Sequence, residues 1–159
     1  MMHTHAGHVS HQMLLCKTST FVHLDKAIDY DNNLEILHEN RESFNRIYIP
    51  QFTWDRYQNE IKLEMEFVWG QQMYPGLLKD GHRKIIYEDM VLNNKTYGFK
   101  DLSSHNFIRL ENNSIAFVDL ESYGLHSIAF RRAQFLAGIC QFPREYLPVQ
   151  VGALSNYVE

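Results

Sequence analysis

The chain has 159 residues, of which 45% are hydrophobic, 21% charged and 13% aromatic, a balance that suits one globular domain with its own core and excludes a disordered segment. Its net charge of -4 gives no reason to expect nucleic acid or an anionic membrane as a partner. No apolar run approaches the ~20 residues of a bilayer span, the opening MMHTHAGHVSHQ lacks the apolar stretch of a secretory signal, and Cys16 and Cys140 are too few for a disulfide framework and fit a reducing cytoplasm.

Near the start, His3, His5, His8 and His11 fall within nine residues. Imidazoles suit zinc, copper or nickel, but no cysteine or carboxylate lies among them, so a histidine-rich, solvent-facing end is expected. Residues 13–16 and 21–24 read as two short strands separated by Lys17-Thr18-Ser19-Thr20, with Lys26 closing the second. Either lysine alone reads as a solvated strand-end charge. Residues 33–47 read as a helix capped by Asp31, Asn32 or Asn33, with Leu34, Leu37, Phe44 and Ile47 at helical spacing. It carries Glu35, Glu39 and Glu42. Pro50 stops it.

Residues 52–54 then form a strand, 55–59 a turn and 61–68 a second strand, in which Ile61, Leu63, Met65 and Phe67 alternate with Lys62, Glu64, Glu66 and Val68. Trp69-Gly70 ends it. The run 82–92, HRKIIYEDMVL, sets Ile85, Ile86 and Met90 on one face of a helix that stops at Asn93-Asn94-Lys95.

The stretch 97–123 carries the chemistry. It reads as a polar loop, a strand at 107–110, a turn at Asn112-Asn113 and a strand at 114–118. Asn106 follows Asp101 by five, and Asp119 follows Asn106 by thirteen. A carboxylate before the hairpin and another after it lie side by side at one end, with the amide joining them. Such an oxygen set suits magnesium, which takes one or two carboxylates plus substrate phosphates. Residues 127–142 read as a core helix with Arg131 and Arg132 on a polar face, and Pro143 and Pro148 restrict helix in the tail that follows.

Phe99-Lys100-Asp101-Leu102 through Asn106, a hairpin, and then Asp119-Leu120-Glu121 resemble the catalytic loop and metal-binding segment of the protein-kinase-like fold. That pattern is H-R-D-L-x-x-x-N followed by D-F-G. Phe99 replaces the histidine, Lys100 the arginine, and Leu120-Glu121 the Phe-Gly pair. Acidic residues at the last place are more similar to the small-molecule and lipopolysaccharide kinases than to the eukaryotic protein kinases.

The resemblance implies a single α+β domain over residues 1–159, with a small antiparallel β-rich N-lobe over about 1–70 and an abbreviated, mainly helical C-lobe over about 71–159. It implies ATP between the lobes, its adenine on the backbone of residues 66–68 (Glu66 to Val68) and Met65 behind it. Lys26, or Lys17 if the strands are shifted by one, would orient the phosphates, held by Glu39, with Glu35 and Glu42 as alternatives. Asp119 and Asn106 would fix magnesium, and Asp101 would take the proton of an acceptor hydroxyl on a protein, sugar or lipid-linked molecule. Lys100 would neutralise Asp101 or the γ-phosphate.

Departures point to a second reading. Ala6-Gly7-His8-Val9-Ser10 is a degenerate phosphate-covering turn without G-x-G-x-x-G, and thirty-eight residues follow Glu121, which leaves little acceptor platform. A non-catalytic kinase-like module that binds nucleotide or a partner is therefore the alternative. A third is an unrelated α+β protein with Asp101 and Asp119 on its surface.

Overall fold

The structure, a computed structural model, describes the backbone of residues 2–5 and all of residues 13–141. In chain order it contains β1 (Met2–His5), β2 (Leu14–Thr20), α1 (Leu24–Asn40), β3 (Ile47–Tyr48), β4 (Phe52–Tyr57), β5 (Glu60–Glu66) and β6 (Gln71–Gln72). Then come α2 (Asp80–Ile86), continued by a π-helical turn (Tyr87–Val91), β7 (Tyr97–Phe99), β8 (Phe107–Arg109), β9 (Ile115–Phe117), β10 (Tyr123–Leu125) and α3 (Ile128–Gly138). This is a mixed α+β fold whose strand pairs are antiparallel apart from β3 with β9. No helix among the described residues is long and apolar enough to cross a membrane.

The first sheet has the order β1-β4-β5-β2. Alternation in β5 works as the sequence requires: Ile61, Leu63 and Met65 are buried while Glu60 and Lys62 are exposed. The turn into β5 needs only Gln58-Asn59, because Gln58 takes the left-handed φ of 53° that tight hairpins favour. α1 covers this sheet with Ala27, Leu34 and Leu37, which recur on one helix face. Asp31 shares that face at 4% exposure. Its carboxylate accepts from Trp54 Nε1 at 2.7 Å and Arg56 Nε at 2.8 Å, so the buried charge is paired and the helix is fixed in rotation on the sheet.

Here the structure departs from the sequence reading. Residues 14–20 form one strand that runs through Lys17, and residue 24 begins the helix instead of ending a strand. The apolar run at 21–24 has no sheet face to bury: Val22 is 91% and Leu24 50% exposed. Asp31, Asn32 and Asn33 consequently lie inside α1 and not at its start. α1 stops at Asn40, and Ile47 opens β3 beside β9. At the N-terminus, the backbone of Met2–His5 pairs with β4 where a solvent-facing end was expected. Residues 6–10, with the degenerate turn, and the tail containing Pro143 and Pro148 lie outside the described residues.

The second sheet has the order β3-β9-β8-β6, and β7 pairs with β10. The β8–β9 hairpin turns at Asn112-Asn113, where Asn113 has φ 68° and Leu110 N–H donates to Ser114 O at 2.8 Å. Phe99, Phe107, Phe117 and Tyr123 pack ring on ring beneath it at 4.4–5.0 Å. Residues 67–70 carry the chain from β5 to β6. They pass so close to β8 that a Cβ on Gly70 would lie 2.3 Å from Arg109 O.

α3 is capped by Ser127, whose hydroxyl accepts from Phe130 N–H at 3.1 Å, and it buries Phe135 and Leu136. Arg131 is not on a polar face. It is 0% exposed and donates to the carbonyls of Val91 (2.6 Å), Asn93 (2.9 Å), Asn94 (2.7 Å) and His126 (2.8 Å). The first three end the π-helical turn or precede β7 and the fourth precedes α3, so one buried guanidinium satisfies acceptors that would otherwise be orphaned.

Candidate functional site

Two short ladders gather the polar residues. β7 and β10 pair with Phe99 opposite Tyr123, and Lys100 N–H donates to Ser122 O at 2.9 Å. β8 and β9 pair with Phe107 opposite Phe117, and Val118 N–H donates to Asn106 O at 3.0 Å. Asp101 follows β7, Asn106 precedes β8, and Asp119 sits between β9 and β10. The pairings therefore bring the loops bearing all three to one place.

Asp101 is held by its own loop. One carboxylate oxygen accepts from Ser103 N–H at 3.2 Å and the Ser103 hydroxyl at 2.7 Å, and Asn106 Nδ2 donates to Asp101 O at 3.2 Å. Burial pushes the Asp101 carboxyl up, but the bonds from Ser103 and Asn106, with the His105 charge, outweigh it and hold the group below its ordinary value. Asp119 goes the other way. Burial, then the hydrogen bond and charge of Glu121, then the charge of Asp101, push it up to about 7, against the pull of Lys17. Asp119 is thus protonated in part near neutral pH.

Lys17 Nζ lies 3.0 Å from Glu121 Oε2. Tyr30, on α1, brings its hydroxyl to the same corner, where it hydrogen-bonds Ser19. Burial, then the charge of Glu121, holds that hydroxyl protonated well above its ordinary range.

A cavity of about 340 Å³ opens next to this cluster. Leu15 and Lys17 of β2 cover it, Met65 and Val68 wall it, and Ile108 and Val118 floor it, with Glu121 at its polar end. A mainly apolar slot with a few polar groups at one end has the size and lining of a small-molecule site. The Glu66 side chain points away from it. Its carboxylate accepts from the Tyr48 hydroxyl and from Gln51 N–H at 2.8 Å, and Glu66 N–H and Phe67 N–H are taken by Gln51 O and Met13 O. Residues 66–68 are thereby pinned at the cavity wall.

Two expectations need correction. Lys26 is exposed in the first turn of α1 and is not part of the cavity lining, because the helix begins at Leu24 and carries it off the sheet. Lys17, the alternative, is the lysine at the cavity. Glu39 is exposed on α1, Glu42 pairs with Arg41 at 3.2 Å, and Glu35 is half-buried on the helix. The carboxylate paired with Lys17 is instead Glu121. Lys100 is exposed, and its charge bears on His126, which burial and then Lys100 lower.

Among the described residues no three His, Cys, Asp or Glu side chains converge as a metal cage. The donors available are the carboxylates of Asp119 and Glu121 and the amide of Asn106. Magnesium completes its shell with water and substrate phosphates, so this set fits an ion that arrives with a nucleotide. No protein-family model matches the chain, and no curated protein matches it.

Sequence reasoning passed over Glu121 and Tyr30 as members of the site. The unbroken β-forming run Leu14-Leu15-Cys16-Lys17-Thr18-Ser19-Thr20 was the signal for a single strand with Lys17 inside it. Nothing in the sequence marks Tyr30, which is defined by the rotation of α1 on the sheet.

Proposed function

We propose that this chain is an ATP- and magnesium-dependent phosphotransferase that moves a γ-phosphate to an acceptor hydroxyl of a protein, sugar or lipid-linked molecule. On this reading the domain is a reduced, two-lobed, protein-kinase-like fold. The first sheet with α1 forms the N-lobe, and the remainder forms an abbreviated C-lobe. The observation that carries the reading is the continuity of the apolar slot with the Lys17–Glu121 pair and, beside it, Asp119, Asn106 and Asp101.

The apolar slot accepts an adenine ring, and the backbone of residues 66–68 borders its edge. Lys17 reaches the phosphates from β2. Asp119 and Asn106 would hold magnesium, which when bound supplies charge neutralisation at the phosphates. Asp101, ionised at neutral pH, accepts a hydrogen bond from the acceptor hydroxyl and orients its oxygen in line. A carboxylate with so low a proton affinity takes the proton late, which suits a loose transition state that asks for positioning more than for a strong base. Lys100 lies on the solvent side of Asp101, where it can meet the acceptor. The exposed thiol of Cys16 fits a reducing cytoplasm.

Calorimetric titration with ATP, with and without magnesium, followed by ADP release against hydroxyl acceptors, tests the reading. ATP is expected to bind more tightly with magnesium, and Lys17→Met is expected to weaken it where Lys26→Met does not. Asp101→Asn is expected to keep binding while turnover falls about a hundredfold or more. No ATP binding under either condition would overturn the proposal.

The alternative, a kinase-like module that binds nucleotide without transfer, draws support from the raised proton affinity of Asp119, since a proton there competes with a cation at neutral pH. ATP binding with ADP release insensitive to Asp101→Asn would favour it.

A further inference from the structure

We infer that Glu121, from the turn after Asp119, is the residue that positions the phosphate-binding lysine, and that α1 contributes to this corner a neutral hydroxyl, Tyr30. The inference rests on the proposed ATP site and deepens it. Lys17 is a long, flexible side chain with 60% of its surface in solvent, and an unanchored ammonium of that kind samples many rotamers. Glu121 is 24% exposed, sits 3.0 Å from Nζ, and belongs to the short 3-10 turn Leu120–Ser122, whose Leu120 and Ser122 are buried. It is therefore the better-fixed partner and sets where the ammonium rests.

The other neighbours of Glu121 support the same role. It is hydrogen-bonded to Asp119, so one carboxylate touches both the lysine that would meet the phosphates and the acid that would meet their cation. Tyr30 lies alongside, bonded to Ser19 on the same strand as Lys17. A neutral hydroxyl adds no charge to compete for the ammonium and closes the corner from the helix side. The pair that orients the lysine is thus drawn from the metal-binding turn, which couples the nucleotide's phosphates to Asp119 through a single side chain.

The test compares ATP with adenosine, which fills the apolar slot but lacks phosphates. In calorimetric titrations with magnesium, Glu121→Gln is expected to weaken ATP about two- to tenfold, the range of one net hydrogen bond, and to change adenosine far less. In a Lys17→Met background the Glu121→Gln effect on ATP is expected to vanish, since Glu121 then has no ammonium to hold. An unfolding midpoint in urea equal to that of the wild type reports that the variant is folded. If Glu121→Gln does not fold, Glu121→Asp, which keeps the charge but withdraws it by one methylene from Lys17, is expected to weaken ATP in the same sense, and an unchanged ATP affinity overturns the assignment.

If Glu121 merely repels the triphosphate, neutralising it tightens ATP binding. That result, an unchanged ATP affinity, or an equal loss for ATP and adenosine would overturn the assignment while the ATP site stands. A wild type that binds neither ligand overturns the site itself.

Discussion

Replacing Asp119 by asparagine is expected to stabilise the free protein at alkaline pH while removing magnesium-dependent nucleotide binding. Asp119 titrates at about 7 in the fold against an ordinary 3.8. Between those values the folded protein holds a proton that the unfolded chain has lost, so stability falls as pH rises from about 4 to about 7 and then levels. Three units at about 1.4 kcal/mol each give an upper bound near 4 kcal/mol. Asp119 is only half-buried, and screening by solvent leaves about 2 kcal/mol. The asparagine has no proton to lose. In urea unfolding it is expected to exceed the wild type by about 2 kcal/mol at pH 8 and to match it at about pH 3.5, below the ordinary value of the carboxyl. Magnesium-ATP should then raise the unfolding midpoint of the wild type and not of the variant, the usual exchange of stability for function at such sites. A variant no more stable than the wild type at pH 8, or a full gap that persists at about pH 3.5, would refute the reasoning.

Arg131→Met leaves four carbonyls without their donor and is expected to cost about 3–5 kcal/mol in urea unfolding. Arg131→Lys should recover part of it, because one ammonium cannot fork to all of them, and a loss below about 1 kcal/mol counts against the assigned role. Gly138→Ala places a Cβ 2.6 Å from Leu102 O, a backbone atom that cannot rotate away. Overpacking of about 1–3 kcal/mol is expected, with acceptor turnover reduced more than ATP affinity because Leu102 adjoins Asp101. Equal stability, or a fall in ATP affinity alone, would contradict that packing.

What was legible in the sequence was the part governed by short-range rules. The alternation from Ile61 to Met65 gave a strand, Asn112-Asn113 a turn, and the apolar faces of α2 and α3 their helices. The spacing of Asp101, Asn106 and Asp119 anticipated that their loops meet, because a hairpin returns its ends to one place. Lys26 and Glu39 failed for a different reason. Where α1 begins depends on whether Val22 and Leu24 find an apolar face, and they find none. Likewise the place of Arg131 depends on carbonyls near forty residues away in sequence, and no local pattern announces a guanidinium that caps another element.

Both sides of the cavity are touched by α1, and the Lys17–Glu121 pair and residues 67–70 also join them. One face of α1 is locked to β4 by the bonds from Trp54 and Arg56 to Asp31. Another face meets β10, where Asn40 Nδ2 donates to the Tyr123 hydroxyl at 3.3 Å and the Asn33 amide lies against Gly124. The distance between Lys17 on the first sheet and Asp119 before β10 is therefore set in part by one helix held at both faces. Tyr30 projects from that helix to the corner between them, so a rotation of α1 would move its hydroxyl relative to Ser19 and Glu121 together. If the proposed function holds, the phosphate is positioned only while that helix stays in register, and the buried Asp31 would then serve function as well as folding.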